Sequence, residues 1–478
     1  MDRYAFPRAA VRAAALSGLC AVSLCGCATL PSATPARQAK APAAYQSQAS
    51  LSAPAADWPS DGWWKAYGDP QLDALIDEAI KDSPSLAQAE ARLRKARAMR
   101  TVAAADTLPS LSGAANVQEL KQSYEYLFPK QFVPQGYQDY AQATLNLNWQ
   151  LDFWGKNRAA VAAAASEARA AAADAAEARL ILTTDIADAY ATLARLLADR
   201  AVASEAARVR QQTVGLTAQR VTNGVDTQAE LEQAQGALPA ALATVAALDE
   251  EIAQTRDALA ALAGAGPDRG LALTAPNAMR LKTFGLPADV RLNLIGRRPD
   301  VIAARWRAEA ADRRVYQAKA AFYPDINIAA YIGQQSLHVE NLVSPGAAIG
   351  GVTPALSLPI FQGWRLRGAL RGAQADRDAA VTQALREVAD VAASERALGE
   401  RLDQSRRALA SYEGAYHVAR LRYEGGLSSF QSVLLAEDAV LSQRRIVSDL
   451  ESRAFTLDVA LVRALGGGFG PKTETPHA

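Results

Sequence analysis

Between Ala141 and Phe153 apolar and polar residues alternate without a break. Ala, Ala, Leu, Leu, Trp, Leu and Phe hold the odd positions, and Gln, Thr, Asn, Asn, Gln and Asp the even ones. A period of two puts the two sets on opposite faces of a strand, and the run is longer than the roughly 9–11 residues that a tilted strand needs to cross a bilayer. Strands of soluble sandwiches alternate too, but seldom for so long. Three further segments carry weaker versions of the pattern: Leu111 to Val117, Asp325 to Gly333 with Ile326, Ile328, Ala330 and Ile332 in step, and Val352 to Ile360. Pro354 and Pro359 interrupt the last, where a corner is expected. The predicted strands span about 110–118, 140–153, 325–333 and 352–361. Gln118 to Asp139, with Tyr124, Tyr126, Phe128, Phe132 and Tyr137, reads as an extracellular loop, and His338 to Gly346 as its shorter equivalent.

Behind the strands the period changes. Lys156 to Thr222 holds no proline and only Gly215 as a glycine, which allows one helix of roughly 100 Å at 1.5 Å per residue. The returning segment places Leu231, Leu238, Val245, Ile252 and Leu259 seven apart, with Leu248 and Leu262 on the neighbouring seam. That is a coiled-coil pattern, in which Pro239 predicts a kink. Val440, Val447, Ala454 and Leu461 repeat it later in the chain. Long helices are expected over 156–222, 227–263, 364–423 and 428–465.

These elements are two copies of one unit. Pro84 and Pro109 recur as Pro299 and Pro324 at a single displacement, and Phe153-Trp154-Gly155 recurs as Phe361-Gln362-Gly363 at a shorter one. Arg220, Gly224, Ala234 and Gly264 recur as Arg422, Gly426, Ala436 and Gly466 at one shorter still, so the first copy has the longer loops. Each copy, 58–265 and 266–469, reads helix, strand, loop, strand, very long helix, tight turn, long helix. The fold class is therefore mainly α with a membrane β-barrel. Four strands cannot close a hollow barrel, and an open edge in lipid leaves backbone groups unpaired at several kcal/mol each, so the chain must oligomerise.

Composition narrows the function. Half of the 478 residues are hydrophobic but only 6% are aromatic, which suits close-packed helices. Lys plus Arg number 51 and Asp plus Glu 50, a formal charge of +1 with no electrostatic footprint for nucleic acid. No stretch after the N-terminus has the roughly 18 uninterrupted apolar residues of a spanning helix; even Ala159 to Ala176 is broken by Glu167, Arg169 and Asp174. Membrane crossing is left to strands. His338, His417 and His477 lie far apart, with no spacing that makes a metal site, and no nucleophile elbow, phosphate loop or zinc motif is present. No cofactor and no enzymatic activity are expected.

At the N-terminus Arg3, Arg8 and Arg12 precede an apolar stretch from Ala13 to Leu24, and then Leu24-Cys25-Gly26-Cys27. This reads as a secretory signal over 1–26 whose last four residues resemble a bacterial lipobox, with Cys27 the acylated residue. The three cysteines are Cys20, Cys25 and Cys27, so cleavage before Cys27 leaves one thiol and no disulfide. By resemblance to bacterial lipoproteins, Ala28 points to outer-membrane sorting. Residues 27–57, rich in Ala, Ser, Pro and Gln from Pro31 to Pro54, are expected to be a flexible tether, and 470–478 a disordered tail.

Three motifs carry a resemblance over nearly the whole mature chain. They are Trp63-Trp64-Lys65-Ala66-Tyr67-Gly68-Asp69-Pro70 with Leu72, Leu75 and Ile76; Arg297-Arg298-Pro299-Asp300 with Ala303-Ala304 and Ala321-Phe322-Tyr323-Pro324; and Leu358-Pro359-Ile360-Phe361-Gln362-Gly363. Together they resemble the TolC family of outer-membrane channels, and within it the OprM-type, NodT-type lipoprotein branch. The resemblance implies a homotrimer whose twelve strands form one barrel in the outer membrane of a Gram-negative bacterium, continued by a periplasmic helical tunnel with an equatorial belt. It implies a passive duct for small molecules such as drugs. The partners it implies are a periplasmic adaptor, an inner-membrane pump of the RND type and outer-membrane lipid. It places adaptor docking at the turns Asn223, Gly224, Val225, Asp226 and Gly425, Gly426, Leu427, Ser428. It also implies a periplasmic gate, built in the family from a tyrosine, an arginine and aspartate rings. Tyr423 matches the tyrosine, but Ser428 stands at the arginine position and Ser432 and Leu435 at the aspartates. Asp438, one turn beyond Leu435, and Glu230 of the first copy are the acidic candidates. A differently locked gate is expected.

Two other functions fit parts of the pattern. A duct for a protein-secretion system keeps the architecture and changes the cargo; the lipobox and the Arg297-Arg298-Pro299-Asp300 motif favour efflux. A coiled-coil structural lipoprotein without a pore explains the heptads and leaves Ala141 to Phe153 unexplained.

Overall fold

A computed structural model describes residues 54–125, 129–276, 285–287, 296–358, 368 and 383–469. They fall into two compact units, one of 94–170 and 305–379, the other of 39–93, 171–304 and 380–478.

The first unit holds a four-stranded antiparallel sheet in the order β1-β2-β3-β4: β1 Ser110–Leu120, β2 Gln138–Leu151, β3 Asp325–Leu337 and β4 Ala348–Ser357. Register explains the alternation in the sequence. Leu111 opposes Leu147, which opposes Ala330, which opposes Val352; Trp149, Ile328 and Pro354 make the next such row, and Leu151, Ile326 and Leu356 another. Directly opposed residues share a face, so one face of all four strands is apolar, and Leu111, Val117, Leu145, Ile332, Val352 and Leu356 stand exposed on it. Rows such as Ser112, Asn146 and Tyr331, or Asn116, Gln142 and Gln335, make the other.

The fourth strand departs from expectation. It starts four residues earlier than 352, ends at Ser357, and runs through Pro354 without turning a corner. β4 is an edge strand, where one side of the ladder has no partner and a missing N–H is tolerated. Pro359 and the 359–361 end of the predicted strand lie outside the described residues. Between β1 and β2 the Tyr124 hydroxyl accepts the Gly136 N–H at 2.9 Å, and the Lys121 and Lys130 ammonium groups sit 5.4 and 5.6 Å from its ring centroid. Tyr126 and Phe128 lie outside the described residues.

The join from strand to helix is tightly specified. Asp152 Oδ1 and Oδ2 accept the N–H groups of Asn157 at 3.1 Å and Arg158 at 2.8 Å, satisfying free donors at the helix start. Trp154 stacks on Tyr323 at 4.8 Å and donates Nε1–H to the Pro324 carbonyl at 2.9 Å. Lys156 pairs with Asp325 at 3.3 Å. These residues bind the end of one copy's strand pair to the start of the other's.

Of the helices, α1 spans Pro70–Asp82, α2 Pro84–Ala105, α3 Lys156–Thr222, α4 Gln228–Leu262, α5 Pro299–Ala320, α6 Gln383–Glu424 and α7 Phe430–Ala464. The 364–382 part of the expected third long helix lies outside the described residues, apart from Arg367's neighbour Gly368, which is helical. α4 runs unbroken through Pro239. No described helix is long and apolar enough to cross a membrane.

The second unit's core joins the opening motif to the long helices. Trp63, Trp64 and Tyr67 pack with Leu72, Leu75, Ile76 and Ala79 against Ile186, Tyr190 and Leu193 of α3, Ile252 and Leu259 of α4, and Phe455 and Val459 of α7. Asp69 caps α1, accepting the N–H groups of Gln71 and Leu72, with Pro70 at the first helical position. Its other oxygen accepts the Tyr190 hydroxyl at 2.9 Å, and Tyr67 donates to Asp458 at 2.6 Å. Towards the turn, the buried seam of α4 passes to Ala234 and Ala241, while Leu231, Leu238 and Val245 are only half-buried. Alanine there lets neighbouring helices approach closely.

The duplication is also visible in space. Gly264 follows α4 with φ +79°, and a Cβ on it would lie 2.4 Å from the Asp82 carbonyl oxygen; Gly466 follows α7 with φ +91°, and a Cβ there would lie 2.2 Å from the Arg297 carbonyl oxygen. Gly264 and Gly466 are repeat partners. So are Pro84 and Pro299, each two residues after the carbonyl that is touched. The same close approach has been kept in both copies.

Candidate functional site

The two helical hairpins turn through matched glycines. At the first, Gly224 has φ +71° and the Val225 N–H donates to the Arg220 carbonyl at 2.8 Å; at the second, Gly426 has φ +76° and the Leu427 N–H donates to the Arg422 carbonyl at 2.7 Å. These left-handed closures satisfy the last carbonyls of α3 and α6. Asn223 and Gly425 are exposed, and so are the repeat-related apolar side chains at the apices, Val225 at 59% and Leu427 at 73%. The restarts differ. Thr227 and Glu230 form a capping box, with the Glu230 carboxylate accepting the Thr227 N–H at 2.8 Å. Ser429 makes no side-chain cap.

Just inside these turns lies a buried polar cluster. Tyr423, at the end of α6, donates its hydroxyl to Asp226 Oδ2 at 2.7 Å and meets the Thr217 hydroxyl at 3.0 Å. Arg220 makes a two-pronged pair with Asp226, at 2.9 and 3.1 Å, and lays its guanidinium 4.6 Å from the Tyr423 ring centroid. Phe430 packs on the same ring at 5.6 Å, with Ala234 and Val433 completing a small apolar shell. The hydrogen bonds from Arg220 hold the Asp226 carboxyl below the usual carboxylate range. Burial raises the Tyr423 hydroxyl. The cluster is therefore ionised at Asp226 and Arg220 and neutral at Tyr423 around neutral pH.

The structure brings Tyr423 together with a residue expected only as part of the docking tip, Asp226. The cation comes from Arg220, while Ser428, at the arginine position of the family pattern, has a buried hydroxyl without a hydrogen-bond partner. Glu230 is occupied in its capping box. Asp438 accepts from Arg210 at 2.8 Å. Sequence reasoning missed Arg220, Thr217, Arg210 and the buried Glu437. Arg220 had left a trace as the repeat partner of Arg422, six residues before Asp226 across a tight turn. Cys27 lies outside the described residues. Among the described residues, no group of three or more His, Cys, Asp or Glu side chains could hold a metal.

The comparisons with known proteins place the chain in a family. The model of the outer membrane efflux protein family matches residues 75–265 and 292–467. The fusaric acid resistance protein FusA of Burkholderia cepacia is 36% identical over 325 residues, which are 67% of this chain and 61% of that protein. The multidrug resistance outer membrane protein MdtP of Escherichia coli K12 is 29% identical over 435 residues, 87% of this chain and 88% of that one. The crystal structure of the outer membrane protein VceC of Vibrio cholerae matches with a TM-score of 0.81 and 43% identity, covering 86% of this chain and all of that one.

Proposed function

Since this chain belongs to the outer membrane efflux protein family, a family of outer-membrane channels in Gram-negative bacteria, we propose that it is the exit duct of a tripartite efflux pump. In this reading three copies pool their strands into one twelve-stranded barrel, and their α3, α4, α6 and α7 hairpins continue it as a periplasmic tunnel. One observation carries the reading. The sheet has an apolar face spanning all four strands and two open edges, β1 and β4, and only closure with further copies gives those edges partners in lipid.

The two repeats, 58–265 and 266–469, each supply two strands and one hairpin. Cys27 carries the lipid anchor after removal of residues 1–26, and 27–57 tether the body to the membrane. The paired tips, Asn223 to Asp226 and Gly425 to Ser428, dock on a periplasmic adaptor, with Val225 and Leu427 as the apolar contacts. The inner-membrane partner is a pump of the RND type. Tyr423 locks the resting gate through Asp226, and Asp438 and Glu230 supply acidic groups beside it. FusA and MdtP are named for resistance to fusaric acid and to multiple drugs, which supports small organic toxicants as the cargo over secreted proteins.

Light scattering of the lipid-bearing protein in detergent tests the assembly, and planar-bilayer recording tests the duct. A protein mass of three chains and an ion-conducting pore are expected. A monomer or a dimer leaves the strands unclosed and promotes the coiled-coil scaffold.

A further inference from the structure

About twelve residues back from the first tip, roughly 18 Å along α3, a single guanidinium reaches two other helices. Arg210 on α3 donates Nη1–H to the Ala237 carbonyl of α4 at 3.2 Å and Nη2–H to Asp438 Oδ1 of α7 at 2.8 Å. Its Nε lies 3.4 Å from Glu437 Oε1, also on α7, and neither of those two atoms makes a hydrogen bond. The Arg210 side chain is 14% exposed and that of Glu437 8%, whereas Asp438 is 64% exposed.

We propose that Arg210 is a positioning residue of the closed gate, a clamp that holds α7 on α3 and α4, and that Glu437 makes this clamp respond to pH. The proposal rests on the duct reading and is separate from the Tyr423 lock, which fastens α6 to the first tip. α7 cannot leave α3 without breaking the Asp438 pair and wetting Glu437. The burial of Glu437 beside a single cation is informative. If packing were the only requirement, a hydrophobic residue of similar volume would serve as well or better than a buried carboxylate with one imperfect cation. A contact that must part and re-form is a reason to keep one.

The charged and titratable groups around Glu437 set the sign. Arg210 faces it from α3. Tyr416 faces it from α6 and itself feels Arg420, Glu205 and Glu424, and Asp438 is its neighbour on α7. Burial raises the Glu437 carboxyl above its usual range, Arg210 offsets part of this, and Asp438 adds to it. The packed state therefore binds a proton more tightly than an opened state with Glu437 in water. Mild acid strengthens the clamp, and it weakens as pH rises through the raised value.

The test is planar-bilayer conductance of the full lipid-bearing protein from about pH 5 to pH 8, for wild type, Arg210→Gln, Arg210→Lys and Glu437→Gln. Wild type is expected to conduct less as pH falls. Arg210→Gln should raise the open-to-closed ratio at least about tenfold near neutral pH, a tenfold ratio being 1.4 kcal/mol, and should move the pH midpoint upward because Glu437 loses its cation. Arg210→Lys, which keeps the charge, should restore part of the closure, and Glu437→Gln should stay closed with a flat pH profile. A wild-type conductance and pH profile in Arg210→Gln, or a persisting pH response in Glu437→Gln, overturns the inference. If Arg210→Gln does not assemble, the other two variants still decide it. A wild-type protein that forms no pore at all defeats the duct reading instead.

Discussion

Tyr423 donates a 2.7 Å hydrogen bond to Asp226 across 197 positions of sequence, joining the last turn of α6 to the apex of the α3–α4 hairpin. The two hairpins come from different copies of the duplicated unit, so this bond couples the copies at the end where an adaptor would dock. Asp226 is a tip residue by sequence, and in the structure its carboxylate is held by Tyr423 and Arg220. Engagement of the tip and release of the lock can thus be one event, because whatever pulls the Asp226 carboxylate outward takes it from Tyr423 and Arg220 together.

Tyr423→Phe removes only the hydroxyl and leaves the ring beneath Arg220. A hydrogen bond to a charged group contributes about 1.5–3 kcal/mol, so closed-state leakage should rise by roughly tenfold or more, and Tyr423→Ala should leak further. Single-pore conductance and sensitivity of expressing cells to a large antibiotic measure this. Leakage equal to wild type in both variants removes Tyr423 from the gate.

Acid should act on the two locks in opposite senses. The Asp226 carboxyl is held down by Arg220 and Tyr423, so its contribution is complete above the ordinary carboxylate value and is lost only as pH falls through the lowered one. Over pH 5–8 it should be flat. Of the two locks, only the Glu437 clamp responds there, its raised carboxyl strengthening closure on acidification. Asp226→Asn should therefore leak at every pH yet retain the acid-dependent closure, as bilayer recordings across the window will show.

Periodicity reports faces, which is why the presence of four strands and of the long helix behind the second was legible in the sequence. Residues 141–153 alternate because one face of the sheet is apolar, and the helix from Lys156 to Thr222 was bounded correctly by its lack of proline and glycine. Side-chain partners were not legible. Arg220 and Asp226 form a pair only because a left-handed glycine folds the chain back between them, and Arg210 meets Glu437 through a packing of helices whose sequence separation says nothing about proximity. Pro354 misled for a related reason: whether a proline breaks a ladder depends on which strand lies at the sheet edge, a property of the whole topology.

Cys27→Ala should abolish incorporation of labelled palmitate and leave the barrel able to assemble, since the tether between Cys27 and residue 57 carries none of the described core. Membrane fractionation should still place the variant in the outer membrane. Palmitate labelling retained in Cys27→Ala and lost in Cys25→Ala would move the anchor to Cys25.

The paired glycines give a test of the duplication itself. At Gly264 and Gly466 an alanine faces two penalties at once. A positive φ costs a non-glycine residue roughly 1–2 kcal/mol, and the new Cβ meets the Asp82 or Arg297 carbonyl oxygen at 2.4 or 2.2 Å, so backbone must shift in a core that is already close-packed. Each single substitution should lower the thermal unfolding midpoint of the assembled protein by several degrees, because the same contact is strained in each copy. Gly215→Ala is the control. It sits inside α3 with open space around it, where alanine is favoured by about 1 kcal/mol as a helix former, and should leave the midpoint unchanged or raised. If all three variants melt alike, the close approaches at Asp82 and Arg297 are not what fixes the glycines.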